Sequence, residues 1–111
     1  MKMKPVVTRK AWNDTDTQEL IALYFSFLTD QQNNIAFTKA GPVRELAAKQ
    51  GRSKGSIECK LMNISAVLQG MFGVDFVVKG YKCLSNYNAE LPKQVTTYLE
   101  VSNKRKFSEV A

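Results

Sequence analysis

The basic and hydrogen-bonding side chains of residues 52–63 are the group in this sequence that is best suited to chemistry. Cations contact the phosphates of DNA, while Arg, Lys, Ser and Asn also reach base edges. We therefore predict a nucleic-acid-binding set in this segment, with double-stranded DNA as the expected partner. Its members are Arg52, Ser53, Lys54, Ser56, Lys60 and Asn63. Cations outside the segment are predicted as further phosphate contacts: Arg44, Lys49, Lys79 and Lys82.

Catalytic chemistry has few candidates here. The sequence contains no histidine, which excludes His-based acid–base catalysis and HNH-type nuclease chemistry. Cys59 and Cys83 are the only cysteines and are too few for a zinc cluster. The triplet Glu58-Cys59-Lys60 matches an ExK nuclease signature, but that chemistry normally uses a strand and this triplet lies in the strongest helical pattern. We expect no enzyme, metal or cofactor.

Two helices joined by a tight turn are predicted to position the basic segment. Pro42 is tolerated in the opening turn of the first helix, and Gly51 can take the left-handed conformation that ends it. Ser53 can then cap the second helix, which runs over residues 53–68. Its core-facing side chains recur at helical spacing, and its opposite side is expected to be exposed. The core stripe is Ile57, Leu61, Ile64 and Leu68; the exposed side carries Lys54, Ser56, Lys60 and Asn63.

The spacing of three residues in this hairpin resembles the DNA-binding helix-turn-helix family. Ala47 supplies the small residue where the helices cross, Gly51 the turn, and Ile57 the branched residue that seats the second helix. The intervals of four and six residues are those of the family. The alternative is a helical corner in a small domain with no nucleic-acid role.

The remaining segments predict a mainly α domain of four or five helices. Asp14, Thr15 or Asp16 is expected to cap a central core helix, and Trp12 to pack over its first turn. Residues 74–83 predict either a short β wing beside the recognition helix or an irregular loop. A last helix follows, with Pro92 in its first turn. The predicted division is a basic arm at 1–11, a helix-turn-helix-like domain at 12–101 and a basic polar tail at 102–111.

The charge of the chain favours an anionic partner. The net charge is +6, and residues 39–82 carry eight basic and three acidic side chains. The basic start of the sequence leads into polar residues, which is not typical of a signal peptide. No apolar run reaches transmembrane length. We therefore expect a cytoplasmic protein with no membrane partner.

Several short motifs resemble a known family. They are Trp12, Glu19-Leu20, Leu23-Tyr24, Glu45-Leu46-Ala47, the stretch GRSKGSIECKLMNI at 51–64, and Gly80-Tyr81-Lys82. Together they resemble the small N-terminal helical domain that precedes HNH nuclease domains in some restriction-type endonucleases and that occurs in other defence or mobile-element proteins. The resemblance runs from Trp12 to about Leu99. It implies a target-binding module, here without the nuclease, because the chain lacks histidine and ends soon after the last predicted helix.

A second function remains open at this stage. The protein is alternatively an interaction module of a phage or mobile element that binds and regulates a larger enzyme. An exposed apolar patch including Met62, Met71 or Phe72 would favour this function, because DNA-binding faces are polar and basic. A homodimer or a protein partner would also add to the weak binding expected of one recognition helix.

Overall fold

The computed structural model describes the backbone of residues 11–110 and the side chains of residues 11–102. These residues form four α-helices and one 3₁₀ turn, which confirms the mainly α class. The elements are α1 (Asp14–Gln32), α2 (Ala40–Gln50), α3 (Lys54–Phe72), the 3₁₀ turn (Val74–Phe76) and α4 (Glu90–Val110). Within the described helices, no segment is long and apolar enough to cross a membrane.

Helix α3 lies at the centre of the fold, where it contacts each of the other three helices and the 3₁₀ turn. Its predicted core stripe is confirmed, because Ile57, Leu61, Ile64 and Leu68 are all fully buried. Four further α3 residues beside the stripe are also buried, namely Lys60, Asn63, Ser65 and Val67. The helix therefore buries more than one side, and the part of it that faces solvent is narrow.

Helix α1 is the predicted core helix, but it begins one residue earlier than the predicted caps. Asn13 is the cap, because its side-chain oxygen accepts a hydrogen bond from the backbone N–H of Asp16 at 2.7 Å. The apolar positions of the helix are buried, as expected: Leu20, Ile21, Tyr24, Phe27 and Leu28. Of the residues after the helix, Phe37 stacks on Phe27 with 5.5 Å between ring centroids, whereas Ile35 is 53% exposed.

The segment after α3 forms no β wing, and the residues that the structure describes contain no strand. Side chains of α1 bind the backbone groups that a hairpin would have used. The Tyr24 hydroxyl accepts from the N–H of Val78 at 2.8 Å. Gln31 accepts from the N–H of Lys79 at 2.8 Å and donates to the carbonyl of Val77 at 3.0 Å. Residues 74–83 are thus an irregular loop held against α1.

Two tyrosines bring hydroxyl groups into the core beside this loop. The Tyr24 hydroxyl shares a hydrogen bond with Ser65 Oγ at 2.7 Å, whereas the Tyr81 hydroxyl is the one buried side-chain polar atom without a partner among the described residues. Burial, with smaller contributions from the charges of Glu58 and Tyr24, raises the pKa of Tyr81 to about 12. Burial likewise raises the pKa of Tyr24, although its hydrogen bonds oppose the shift.

Helix α4 closes the fold against α1 and α3. The Asn88 side chain accepts from the N–H of Glu90 at 3.1 Å at the start of this helix, and Pro92 lies in the first turn as expected. Leu91 and Val95 are fully buried on its inner face. The helical backbone continues to Val110, beyond the domain boundary predicted at residue 101.

Candidate nucleic-acid interface

The hairpin of α2 and α3 has the local geometry that the sequence predicts. Gly51 adopts the left-handed conformation, with φ 67° and ψ 36°, and ends α2. The N–H of Arg52 donates back to the carbonyl of Ala47 at 2.9 Å. Ser53 then caps α3, because its hydroxyl oxygen accepts from the N–H of Ser56 at 3.0 Å. The first turn of α3 is solvent-exposed at Ser53, Lys54 and Gly55.

Arg52, predicted to contact DNA, is instead a buried structural residue whose side chain is 1% exposed. Its Nη2 atom donates to Asp16 Oδ2 at 2.9 Å and to the carbonyl of Ala11 at 3.0 Å. Its Nε atom donates to Gln50 Oε1 at 3.2 Å. The guanidinium group is therefore used for contacts within the fold. A buried arginine needs an acid and hydrogen-bond acceptors around it, because it has lost its hydration. These bonds also fix Ala11 beside the start of α3.

The indole ring of Trp12 packs against Arg52 and Lys60, a contact that the sequence did not predict. The Arg52 Cζ atom lies 3.6 Å from the centroid of the indole ring, and the Lys60 Nζ atom lies 5.1 Å from it. Both distances are in the range of cation–π attraction. Sequence inspection gave no sign of this contact, because Trp12 is distant from both cations along the chain.

Lys60 also departs from its predicted exposed position, since only 9% of the residue is accessible. Burial first, and the positive charge of Arg52 second, lower the pKa of Lys60. No described residue forms a hydrogen bond or ion pair with its ammonium group. The Nζ atom itself is not fully buried. Among the described residues, the Tyr81 hydroxyl is the one fully buried side-chain polar atom without a hydrogen-bond partner.

Asn63 is the third predicted contact residue that serves the fold. Its Nδ2 atom donates to the carbonyl of Leu84 at 2.8 Å and to Asn86 Oδ1 at 3.0 Å. The side chain thereby clamps the loop before α4 onto α3. The exposed positions in the N-terminal half of α3 are Lys54, Gly55 and Cys59. Both cysteines are free thiols.

The other predicted cations remain accessible. The Lys54 side chain is 52% exposed and lies 4.0 Å from Glu58, while that of Lys49 is 66% exposed and lies 2.6 Å from Glu19. The hydrogen bond from Lys49, followed by that from Gln50, lowers the pKa of Glu19. Exposed positions are also held by Arg44, Lys79 and Lys82. The structure brings Ser53, Lys54 and Ser56 together in the first turn of α3, and it places the others on α2 and on the loop after the 3₁₀ turn.

The net positive charge of the chain lies outside residues 11–102, which are called the helical body below. Residues 11–102 contain nine Lys or Arg and nine Asp or Glu, so their formal charge is zero. Residues 1–10 carry four basic side chains, and residues 103–111 carry three basic and one acidic. Any attraction of the whole chain for polyanions therefore depends mainly on these two terminal segments.

Known proteins give no further guide to the site. Searches against protein-family models, curated proteins and solved structures found no match for this chain. Among the described residues, no group of three His, Cys, Asp or Glu side chains is arranged to hold a metal ion.

Proposed function

We propose that this protein binds double-stranded DNA through the first turn of α3 together with the basic segment that precedes residue 11. The observation that carries the proposal is the hydrogen bond from Arg52 to the carbonyl of Ala11 at 3.0 Å. It fixes the attachment point of a segment with four cations immediately beside the N-terminus of α3. Helix-turn-helix proteins approach the major groove with the N-terminal residues of the second helix.

The first turn of α3 has properties suited to this approach. Ser53 and Ser56 offer hydroxyl groups, and Lys54 offers an exposed ammonium. Gly55 has open space where a Cβ would lie, so the backbone of α3 can come close to a phosphate or base edge. The unpaired N–H groups at a helix N-terminus also favour an anion.

The terminal segments supply the long-range attraction in this proposal. Lys2, Lys4, Arg9 and Lys10 precede the helical body, and Lys104, Arg105 and Lys106 follow residue 102. Each phosphate that is neutralised releases counterions, so the affinity should fall steeply as salt is added. In this proposal the neutral helical body orients the contacts and the terminal cations provide most of the affinity.

A matched pair of lysines tests the role of the first turn. Lys54 and Lys93 both lie in the first turn of a helix and beside a glutamate, at 4.0 and 3.8 Å respectively. Helix α4 begins on the other side of α1, where Gln94 donates to Asp14. We expect Lys54→Gln to lower the salt slope of duplex binding, measured by fluorescence anisotropy, by roughly one, and Lys93→Gln to leave it unchanged.

The terminal segment has its own test in the full-length chain. Replacing Lys2, Lys4, Arg9 and Lys10 with glutamine should lower the salt slope by roughly three to four. Thermal unfolding of the variant shows whether residues 11–102 still fold. If the wild type binds neither duplex nor single-stranded DNA at low salt, the proposed function is wrong.

The proposal extends to the role of a non-catalytic module. The motifs that resemble the helical domain ahead of HNH nucleases include the turn and first two turns of α3, which contain the proposed contacts. In this role the protein selects a DNA target, and any cleavage is carried out by another polypeptide. Incubation of the purified protein with plasmid DNA and Mg²⁺ should leave the plasmid intact.

An apolar surface at the other end of α3 favours the second candidate function, an interaction module for a larger protein. Met71 is 42% exposed, Phe72 46% and Val74 69%. The Phe72 ring lies 4.9 Å from that of Phe76, which keeps it on the surface. A protein retained from cell extract by the wild type, but not by a Met71→Ser, Phe72→Ser variant, would support this candidate if the Lys54→Gln variant retained it equally.

A further inference from the structure

We infer that Lys60 and Ser56 form a subsite for a phosphate group at the edge of the Trp12 ring. The inference rests on the proposed DNA binding, because the phosphate is assigned to the DNA backbone, and it deepens that function by naming a contact outside the exposed first turn. This role differs from the prediction made from the sequence, in which Lys60 lies on the exposed side of the helix. In this site the lysine stem is buried and only its ammonium group is available to the ligand.

The ammonium group of Lys60 has no hydrogen-bond acceptor among the described residues. The residue is nine-tenths buried, yet no described residue supplies its Nζ atom with a hydrogen bond or an ion pair. The indole ring of Trp12, 5.1 Å away, provides electrostatic attraction but no acceptor for the three N–H donors. An anion that reaches this edge would therefore satisfy donors that the fold leaves to solvent.

Ser56 and Lys60 share one face of α3, because they are four residues apart. Long side chains on a helix point back toward its N-terminus, which is the direction of Ser56 from Lys60. The backbone N–H of Ser56 donates to the Ser53 cap, whereas its hydroxyl has no hydrogen-bond partner among the described residues. A hydroxyl and an ammonium one turn apart can both donate to the oxygens of one phosphate.

Two cations lie close together at this site. Asp16 on α1 binds Arg52 at 2.9 Å. Arg52 is directed into the fold, where its hydrogen bonds run to Ala11, Asp16 and Gln50. Its Cζ atom and the Nζ atom of Lys60 lie 3.6 and 5.1 Å from the centroid of the Trp12 ring, so the two cations share one small region. An added anion would relieve their repulsion.

Trp12 provides a direct reporter, because it is the only tryptophan in the chain and it touches both cations. Inorganic phosphate and a short DNA duplex should each change its fluorescence. Lys60→Met keeps the buried stem but removes the charge, so both responses should be lost. Lys60→Arg should restore them. Lys93→Met is the matched control on α4 and should respond as the wild type does.

Duplex affinity provides the second readout. Lys60→Met should weaken binding about fivefold to tenfold at moderate salt and lower the salt slope by about one, as expected for one lost phosphate contact. Ser56→Ala should weaken binding about twofold to fivefold without changing the slope, because it removes a neutral hydrogen bond. Thermal unfolding of each variant identifies any loss that is due to misfolding.

The possible outcomes separate this inference from the proposed function. If the duplex binds and a folded Lys60→Met variant keeps the wild-type slope and Trp12 response, the subsite is wrong while DNA binding stands. If free phosphate changes Trp12 fluorescence through Lys60 but no duplex binds, the anion site is real and its assignment to DNA is wrong. Loss of both responses in Lys60→Met with recovery in Lys60→Arg supports both.

Discussion

The two halves of α3 are joined to the rest of the protein by different kinds of contact. Beside the buried Ile57 and Leu61, the N-terminal half makes contacts with charged and amide groups, with Arg52 and Lys60 against Trp12 and Asn63 against the loop before α4. The C-terminal half is held by apolar packing and by the neutral hydrogen bond between Ser65 and Tyr24. The difference shows that a row of polar residues on a helix can be a structural contact and need not be a binding face.

The largest predicted effect concerns the buried cation of the N-terminal half. Arg52→Ala removes the ion pair with Asp16, whose side chain is 15% exposed, together with the hydrogen bonds to Ala11 and Gln50, and we expect a loss of about 3 kcal/mol in the free energy of unfolding. Urea denaturation measures the change. Lys54→Ala removes a cation from an exposed pair on the same helix and should cost less than about 0.5 kcal/mol. Similar losses in the two variants would remove the distinction between buried and exposed cations.

The second prediction concerns the stability of the protein at alkaline pH and Tyr81, which lies in the loop after the 3₁₀ turn. The pKa of Tyr81 is raised to about 12 in the folded protein, from an unfolded value near 10. The folded state therefore retains the proton more tightly, and this stabilisation is complete below pH 10 and lost as the pH rises to 12. The loss should approach about 2 kcal/mol at pH 12. In Tyr81→Phe the decline should be shallower, and at pH 7 this variant should be at least as stable as the wild type.

The third prediction tests the neutral hydrogen bonds that Tyr24 makes beside the C-terminal half of α3. Tyr24→Phe leaves the buried N–H of Val78 and the hydroxyl of Ser65 without this partner, and we expect a loss of about 2 kcal/mol. Tyr98→Phe is the control, since Tyr98 is half-buried and its ring stacks on Phe25 at 5.2 Å without a hydroxyl contact among the described residues. Equal stability of the two variants in urea would contradict the role assigned to the Tyr24 hydroxyl.

The smallest predicted effect concerns the cap of the N-terminal half. Ser53→Ala removes the acceptor for the N–H of Ser56 and should cost about 1 kcal/mol. Ser85→Ala changes an exposed serine in the loop before α4 and should have no measurable effect on the urea midpoint. A Ser53→Asp variant should keep the wild-type stability, because an aspartate can accept the same hydrogen bond and favours a helix N-terminus.

The parts of the fold that depend on neighbouring residues could be predicted from the sequence. The stripe from Ile57 to Leu68 repeats at helical spacing, and all four of its members are fully buried. The left-handed Gly51 and the Ser53 cap are local features of a few residues each, and both were found. Local chemistry is visible in a sequence because the interacting groups lie within one or two turns of each other.

The burial of Arg52 and Asn63 could not be predicted in the same way, because the groups that bind them are distant in sequence. Arg52 is held by Asp16 and Ala11, which precede it by 36 and 41 residues. Asn63 is held by groups 21 and 23 residues later. A cation or amide has the same letter whether it faces solvent or a distant carboxylate. The sequence also left open whether residues 74–83 form a β wing or a loop. The contacts that decide for the loop come from Tyr24 and Gln31 of α1, which are distant in sequence.

The exposure of Cys59 gives the protein a natural chemical footprint. Its thiol lies on the outward face of α3, one turn after Gly55, whereas Cys83 is only half exposed and lies in the loop. The rate at which an alkylating reagent modifies Cys59, measured against Cys83 in the same sample, reports whether a bound macromolecule covers that face. A protein seated along α3 should block the modification almost completely. DNA that contacts only the first turn should slow it partially, so a single mass-spectrometric ratio distinguishes the two candidate partners.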